Sequence, residues 1–233
     1  MTPVKYREGA SAPFSYSFWK SVVDRTAALV ALVALSPLLV LIAVIIRLDS
    51  PGSPIFRQER VGKSGRTFTA YKFRTMRDNN DDSDYKAYLR RYHLENDPFS
   101  IDQHGNPVYK IIDDPRVTRF GGVLRQTNLD ELPQILNVLA GEMSFVGPRP
   151  DIPFAVEMYS DWHRERLCTT PGITGLWQVS RRNGCSFDHM VQLDIDYIGN
   201  QSLLLDSKIV LRTIGVVLRG DGSYRSRKGR QDG

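Results

Sequence analysis

The chain has 233 residues, 41% of them hydrophobic, and a formal net charge of +5, enough for one soluble domain of moderate size beside an apolar segment. Two cysteines, Cys168 and Cys185, without metal-ligand spacing exclude a disulfide or zinc framework, and no solenoid-length repeat is present. The positive charge suits anionic lipid, nucleotide phosphates or nucleic acid without choosing among them.

Residues 27–46 form a run of twenty with one polar side chain, Ser36, followed directly by Pro37, with nine apolar residues on either side of the pair. Twenty helical residues at about 1.5 Å each match a hydrocarbon core of about 30 Å. Proline removes a backbone hydrogen bond and crowds the preceding turn, so the run also reads as two half-helices of about 14 Å joined at a bend. Ser36 is then placed to satisfy a carbonyl freed by the proline. Lys20 and Arg25 precede the run and Arg47, Arg57, Arg60, Lys63 and Arg66 follow it, which would hold both ends in the cytoplasm. Phe14, Tyr16, Phe18 and Trp19 would sit at the headgroups. A kinked spanning helix and a re-entrant hairpin both fit this pattern. A cleaved signal peptide does not, because Arg47, Leu48 and Asp49 stand where a small-residue cleavage site belongs.

Ser50, Pro51, Gly52, Ser53 and Pro54 form a turn cluster that ends the helix. Residues 55–60 and 66–74 then read as a hairpin around a turn at 62–65, presenting Lys72 and Arg74. Residues 78–110 begin with Asp78, Asp81, Asp82 and Asp84 and read as a peripheral insertion with a short helix around Tyr85 to Tyr92. From Thr127 onward, Leu132, Ile135, Leu136 and Leu139 repeat at helical spacing, with Gly141 as the stop. Thr127 and Asp130 match a capping pattern, and Pro133 suits a first turn. A carboxylate at that address is also placed beside amides able to receive phosphate, so Asp130 reads either as a cap or as a reacting group. Residues 207–219 alternate apolar and basic positions as an amphipathic helix, suited to a lipid surface or to packing on the domain. The basic tail of residues 225–233 suits anionic lipid.

Phosphate-binding side chains are dense in the chain: Lys72, Arg74, Arg125, Arg149, and Arg181 with Arg182. Arginine forks pair with phosphate oxygens, and Gly147, Pro148 and Pro150 would hold Arg149 rigidly. Six ordered strings carry a resemblance. They are Ser36-Pro37, Tyr71-Lys72-Phe73-Arg74-Thr75-Met76, Asp114-Pro115-Arg116-Val117-Thr118, Leu129-Asp130-Glu131-Leu132-Pro133-Gln134, Phe145-Val146-Gly147-Pro148-Arg149-Pro150 and Pro171-Gly172-Ile173-Thr174-Gly175. With them, residues 17–224 resemble the bacterial sugar transferases, the monotopic polyprenyl-phosphate phosphoglycosyl transferases.

The resemblance implies an α+β, mostly helical fold: a tail (1–16), a re-entrant membrane helix hairpin broken at Ser36-Pro37 (17–49), a small cytoplasmic catalytic domain with amphipathic interfacial helices (50–224) and a basic tail (225–233). It implies residence at the bacterial inner membrane with the site on the cytoplasmic face. It also implies that Asp130 and Glu131 form the catalytic dyad, with Asp130 the nucleophile toward a UDP-sugar and Glu131 assigned to metal binding or proton handling. Undecaprenyl (polyprenyl) phosphate is the implied acceptor and UMP the leaving product. Two anionic reactants call for Mg²⁺ held by the dyad and for Lys72, Arg74, Arg125, Arg149 and Arg182, with Asp194 as a further site residue. The insertion 78–110 is a candidate homodimer contact. One departure stands in this stretch: Arg181 occupies a position where the family usually has Gly.

Two other readings compete. Asp194-Ile195-Asp196 would suit a UDP-releasing glycosyltransferase that holds a metal between two acids. The charge alone would suit a non-catalytic membrane adaptor or a nucleic-acid binder, but no helix-turn-helix, RNP or zinc-finger pattern supports the latter.

Overall fold

The computed structural model describes residues 14–77, 83–98, 100–101, 107–108, 114, 116–180 and 185–219. The tail up to residue 13, Asp78, Asp81, Asp82, Arg181, Arg182 and the basic tail from Arg225 lie outside these residues.

A single helix, α1 (Phe14–Asp49), runs through Pro37. The segments before and after the proline are joined in one helical element, within which Pro37 is the point able to bend. Pro37 has no N–H for the carbonyl of Val33, and the Ser36 hydroxyl donates to that carbonyl at 2.8 Å. By length and composition α1 is apolar enough to cross a membrane. One stripe of α1 nevertheless packs against the rest of the chain on both sides of the proline. Ala28, Ala31, Leu32 and Leu35 meet Ile135, Val138 and Met143, while Leu39, Ile42, Ala43 and Ile46 meet Phe73 and Leu124. Their spacing of three and four is that of one helical face. Leu29, Val30, Val33, Val40, Leu41 and Val44 are exposed on the remainder.

The expected hairpin is present: β1 (Ile55–Val61) pairs antiparallel with β2 (Thr67–Phe73), placing Phe56 opposite Lys72. Ser64 and Gly65 turn the chain with positive φ. The next helix, α2 (Ser83–Glu95), is not peripheral. Leu89 and His93 are buried, and His93 packs on Phe187 and Tyr159, because the Tyr92-His93 edge of α2 completes an aromatic cluster. Beyond it lie the short pair β3 (Ser100–Ile101) and β4 (Pro107–Val108).

Helix α3 (Arg119–Thr127) is capped by Thr118, whose hydroxyl accepts from the Gly121 N–H at 3.0 Å. Asn128 ends it in the left-handed conformation. That turn overturns the proposed cap at Thr127. The Thr127 hydroxyl donates back to the Val123 carbonyl, and Asp130 falls inside a 3₁₀ segment (Leu129–Gln134) that leads into α4 (Ile135–Ala140). Asn137 of α4 ties this unit to the hairpin, accepting from Tyr71 N–H at 3.1 Å and donating to the Thr69 carbonyl at 2.7 Å. Gly141 ends α4 as expected.

Strands β5 (Ser144–Val146) and β6 (Gly172–Thr174) are parallel. Side chains at Gly147 and Gly172 would collide with each other's backbone, a Cβ on Gly172 lying 2.1 Å from Gly147 N, so these glycines permit the crossing. Between the strands lie α5 (Pro153–Glu157), α6 (Asp161–Arg164) and a 3₁₀ turn (Glu165–Cys168). Finally α7 (Leu176–Ser180), α8 (Phe187–Gly199) and α9 (Leu203–Arg219) pack behind the strands. Ile209 of α9 is buried with Val146, Tyr197 and Ile198, whereas Leu204, Leu211 and Ile214 stay exposed. The amphipathic pattern thus serves domain packing on one face and leaves a second apolar strip outside.

Candidate active site

The 3₁₀ segment and β2 bring a carboxylate and a cation together. Glu131 accepts from Lys72 Nζ at 2.9 Å and from both Nη atoms of Arg149, the Nη1 bond at 3.0 Å. Burial pushes the Glu131 carboxyl up, but the Arg149 and Lys72 cations outweigh it and hold the group well below the usual carboxylate range. Arg149 is raised in turn, chiefly by Glu131. Burial lowers Lys72, with Glu131 acting against it.

Asp130, the adjacent residue, is in the opposite condition. It has no hydrogen bond or ion pair among the described residues. Burial, and then the Glu131 charge, push its carboxyl up to about 6, restrained by Lys72, Arg149 and Arg125. One acid of the dyad is a fixed anion saturated by cations. The other is unengaged and titrates just below neutrality.

Arg149 is held from behind. Four successive carbonyls of its loop each accept a bond: Pro148 from Gly172 N–H at 2.9 Å, Arg149 from Arg166 Nη2 at 3.0 Å, Pro150 from Arg60 Nη1 at 3.0 Å, and Asp151 from Val61 N–H at 2.8 Å. Arg166 also donates to Asp194 Oδ2 at 2.7 Å and to the Tyr159 hydroxyl at 2.7 Å. Tyr159 in turn donates to Asp151 at 2.9 Å. Burial raises Asp194 to about 6, with Arg166 opposing. Burial raises Asp151 too, but His93 and Arg166 outweigh it and hold that group below its usual range.

The structure therefore brings together Asp130, Glu131, Lys72 and Arg149, with Arg125 exposed on the last turn of α3 and its charge felt at Asp130. Arg74 is not among them. Its guanidinium donates to the carbonyls of Ser50 and Pro51 and to the Ser50 hydroxyl, and it fills the space over Gly52, clamping the exit of α1 to the end of β2. Asp194 lies fully buried behind Arg166 rather than facing the dyad. Asp196 is exposed on the other side of α8, accepting from Gln192, so the two acids do not converge. Arg182 lies outside the described residues. Arg60, Arg166, Asp151 and Asn137 are the supporting residues that pattern reading missed. Only Asp151 carried a signal, standing directly after Gly147-Pro148-Arg149-Pro150.

For Mg²⁺, the donor set is narrow. No group of three or more His, Cys, Asp or Glu side chains suited to a metal exists among the described residues. Asp130 offers open oxygens, whereas Glu131 would offer one more readily after giving up a cation. Such a set fits a cation that keeps several waters and draws its other ligands from substrate phosphates.

The family model described as bacterial sugar transferase matches residues 15–220. The exopolysaccharide production protein ExoY of Sinorhizobium fredii is 42% identical over 205 residues, 88% of each chain. The undecaprenyl-phosphate galactose phosphotransferase of Salmonella typhimurium is 39% identical over 210 residues, which are 90% of this chain and 42% of that protein. The UDP-glucose:undecaprenyl-phosphate glucose-1-phosphate transferase of Xanthomonas campestris is 37% identical over 214 residues, 88% of this chain and 40% of that protein. The chain thus spans most of ExoY and less than half the length of the two larger enzymes. By the extent of these matches, the chain belongs to the bacterial sugar transferase family.

Proposed function

We propose that the protein transfers a sugar 1-phosphate from a UDP-sugar to undecaprenyl (polyprenyl) phosphate and so starts assembly of an exopolysaccharide or related glycan. The observation that carries this reading is the division of labour in the dyad, a bare Asp130 beside a Glu131 bound by Lys72 and Arg149. In the first step an Asp130 oxygen attacks the sugar-bearing phosphorus. The P–O bond to UMP breaks, UMP departs, and an aspartyl phosphosugar remains. In the second step an oxygen of the lipid phosphate attacks the same phosphorus and the Asp130 carboxylate leaves, giving the polyprenyl diphosphate sugar.

The negative charge of both reactants is the main barrier to association. Arg149 and Lys72, held by Glu131, present fixed cations without reorganisation, and Arg125 adds a third from α3. Mg²⁺ held by Asp130 and the substrate diphosphate would supply further neutralisation of the departing nucleotide.

The packing of α1 supports a monotopic, re-entrant placement. Residues from Ala28 to Ile46, on both sides of Pro37, touch the domain that carries Lys72 and the dyad. A helix standing along the bilayer normal would carry those charged groups into hydrocarbon, at a cost of several kcal/mol. A shallow placement leaves the catalytic domain at the cytoplasmic headgroup layer, where the acceptor phosphate resides.

Detergent-solubilised protein incubated with undecaprenyl phosphate, Mg²⁺ and a panel of UDP-sugars tests the reading. UMP release that depends on Asp130, with a radiolabelled sugar phosphate trapped on the protein when acceptor is withheld, supports it. UDP as the nucleotide product would overturn it.

A further inference from the structure

A cavity of about 190 Å³ lies away from the dyad, between the first turns of α1, the end of α4 and the stretch following the 3₁₀ turn at Glu165–Cys168. The 3₁₀ segment and α4 lead from Asp130 to Gly141 at its edge, a path of about 19 Å at the rises of the two helix types. Three cations line it, Lys20, Arg25 and Lys63, against one acid, Asp24. Lys20 is already engaged, 2.7 Å from Asp206 and 3.6 Å from Asp24, and Asp24 also accepts from the Ser144 hydroxyl at 2.6 Å. The exposed side chains of Arg25 and Lys63 have no hydrogen bond or ion pair among the described residues, and neither do the side chains of Ser17, Ser21 and Thr170 at the same space. The cavity therefore holds a surplus of positive charge and a set of unengaged donors.

Size and position narrow the ligand. Water takes about 30 Å³ per molecule in the liquid, so the space equals about six waters. Sites for drug-sized ligands run from about 300 Å³ upward, so the cavity is small for a second nucleotide sugar. A phosphodiester with its glycerol fits. The turns of α1 that line the cavity expose Phe18, Trp19, Val22 and Val23 on their other sides. Aromatic side chains of this kind mark the headgroup level of a bilayer.

We propose that this cavity, separate from the reacting site, binds the headgroup of an anionic phospholipid, with Arg25 and Lys63 on the phosphodiester and the acyl chains lying outside along α1. Arg25 also sits against Gly141 at the carbonyl end of α4, where a cation is favourable without any lipid. That contribution is the same in every lipid, so the test reads only the difference between lipids.

The full chain is placed in nanodiscs of phosphatidylcholine with and without phosphatidylglycerol, and lipid retention is followed by native mass spectrometry beside the thermal midpoint. Phosphatidylglycerol should be retained and should raise the midpoint. Arg25→Gln and Lys63→Gln should each weaken retention about tenfold, the loss of one charged hydrogen bond. Arg212→Gln, which removes an exposed cation from α9, should not. Equal retention of the two lipids, or an Arg212→Gln loss as large as the others, would overturn the site in favour of diffuse charge attraction. The same shift from inorganic phosphate in phosphatidylcholine discs would overturn the lipid assignment. Lys63 lies on the hairpin turn, so its variant keeps the test open if Arg25→Gln misfolds. The inference takes from the proposed function only that α1 is embedded in lipid, and failure to enter phosphatidylcholine discs would count against that reading instead.

Discussion

Two buried charge clusters flank the Arg149 loop and are built from the same parts. In front, Glu131 is bound by Lys72 and Arg149; behind, Arg166 is bound by Asp194, with Asp151 and Tyr159 beside it. They differ in what is left over. The front cluster has a neighbouring carboxylate, Asp130, with no partner, and Arg149 is about a third exposed, whereas the side chains of Arg166 and Asp194 are 1–2% exposed. A saturated, sealed ion network is a mount. The same chemistry with one open acid and access for a ligand is a site.

The sharpest way to break that comparison is Asp130→Asn. UMP release should fall by more than about 10³-fold, since the nucleophile itself is removed. Stability should move the other way. The folded pKa of Asp130 is raised to about 6 from an unfolded value of about 3.9, so its ionisation costs stability as pH rises through that window and the full cost is present above it. Asn removes that cost, and the thermal midpoint of the variant should exceed that of the parent at pH 8 and match it near pH 4. In the parent, turnover should rise with pH through about 6 as the nucleophile ionises. A profile flat from pH 5 to 8 would mean that Asp130 is already ionised in the loaded site, its charge favoured by the bound cation.

Glu131→Gln should show the reverse signature. Activity falls about 10²-fold because Lys72 and Arg149 lose their fixed positions. Stability also falls, by about 2 kcal/mol, since one largely buried cation, Lys72, and one partly exposed cation, Arg149, lose their counter-charge. A variant that kept its melting temperature would show Glu131 to be a bystander in the front cluster.

The front cluster was largely legible in the sequence, because Lys72, Asp130, Glu131 and Arg149 all stand in short strings with turn or capping chemistry of their own. The mount was not. Arg166 sits in Glu165-Arg166-Leu167-Cys168, a string with no periodic or turn signal, and its partners come from the Arg149 loop, the α5 to α6 connection and α8, apart in the chain. Arg74 misled for a related reason. Lys72 and Arg74 lie two apart on β2, which on an ideal strand gives one face, but Arg74 follows the last strand residue and turns toward the Ser50 carbonyls. The elements themselves were readable where period and turn chemistry agreed, as at the β1–β2 hairpin. The cap at Thr127 failed because Asn128 took the left-handed conformation and ended the preceding helix there.

Arg166→Lys probes the mount directly. It keeps the charge and loses the fork, so the bonds to the Arg149 carbonyl and to Asp194 no longer coexist. The expected result is a loss of about 2 kcal/mol in stability and a fall of about tenfold in kcat, with UMP still the product. An unchanged kcat would show that the prolines and the other three carbonyl bonds hold Arg149 without Arg166.

The smallest expected effect lies farthest from both clusters. Ser36 donates to the carbonyl that Pro37 leaves without a partner, so Ser36→Ala should cost about 1 kcal/mol and little activity. Stability alone does not identify the cause, since any hydrogen-bonded hydroxyl has some cost of removal. The double-mutant cycle does. Pro37→Ala restores the N–H that the Val33 carbonyl accepts in an unbroken helix, and in that background Ser36→Ala should cost almost nothing. If Ser36→Ala costs the same with Ala at 37, the hydroxyl is not compensating for the proline, and the continuity of α1 through Pro37 needs another source, of which the packing of Leu35 and Leu39 on the domain is the nearest.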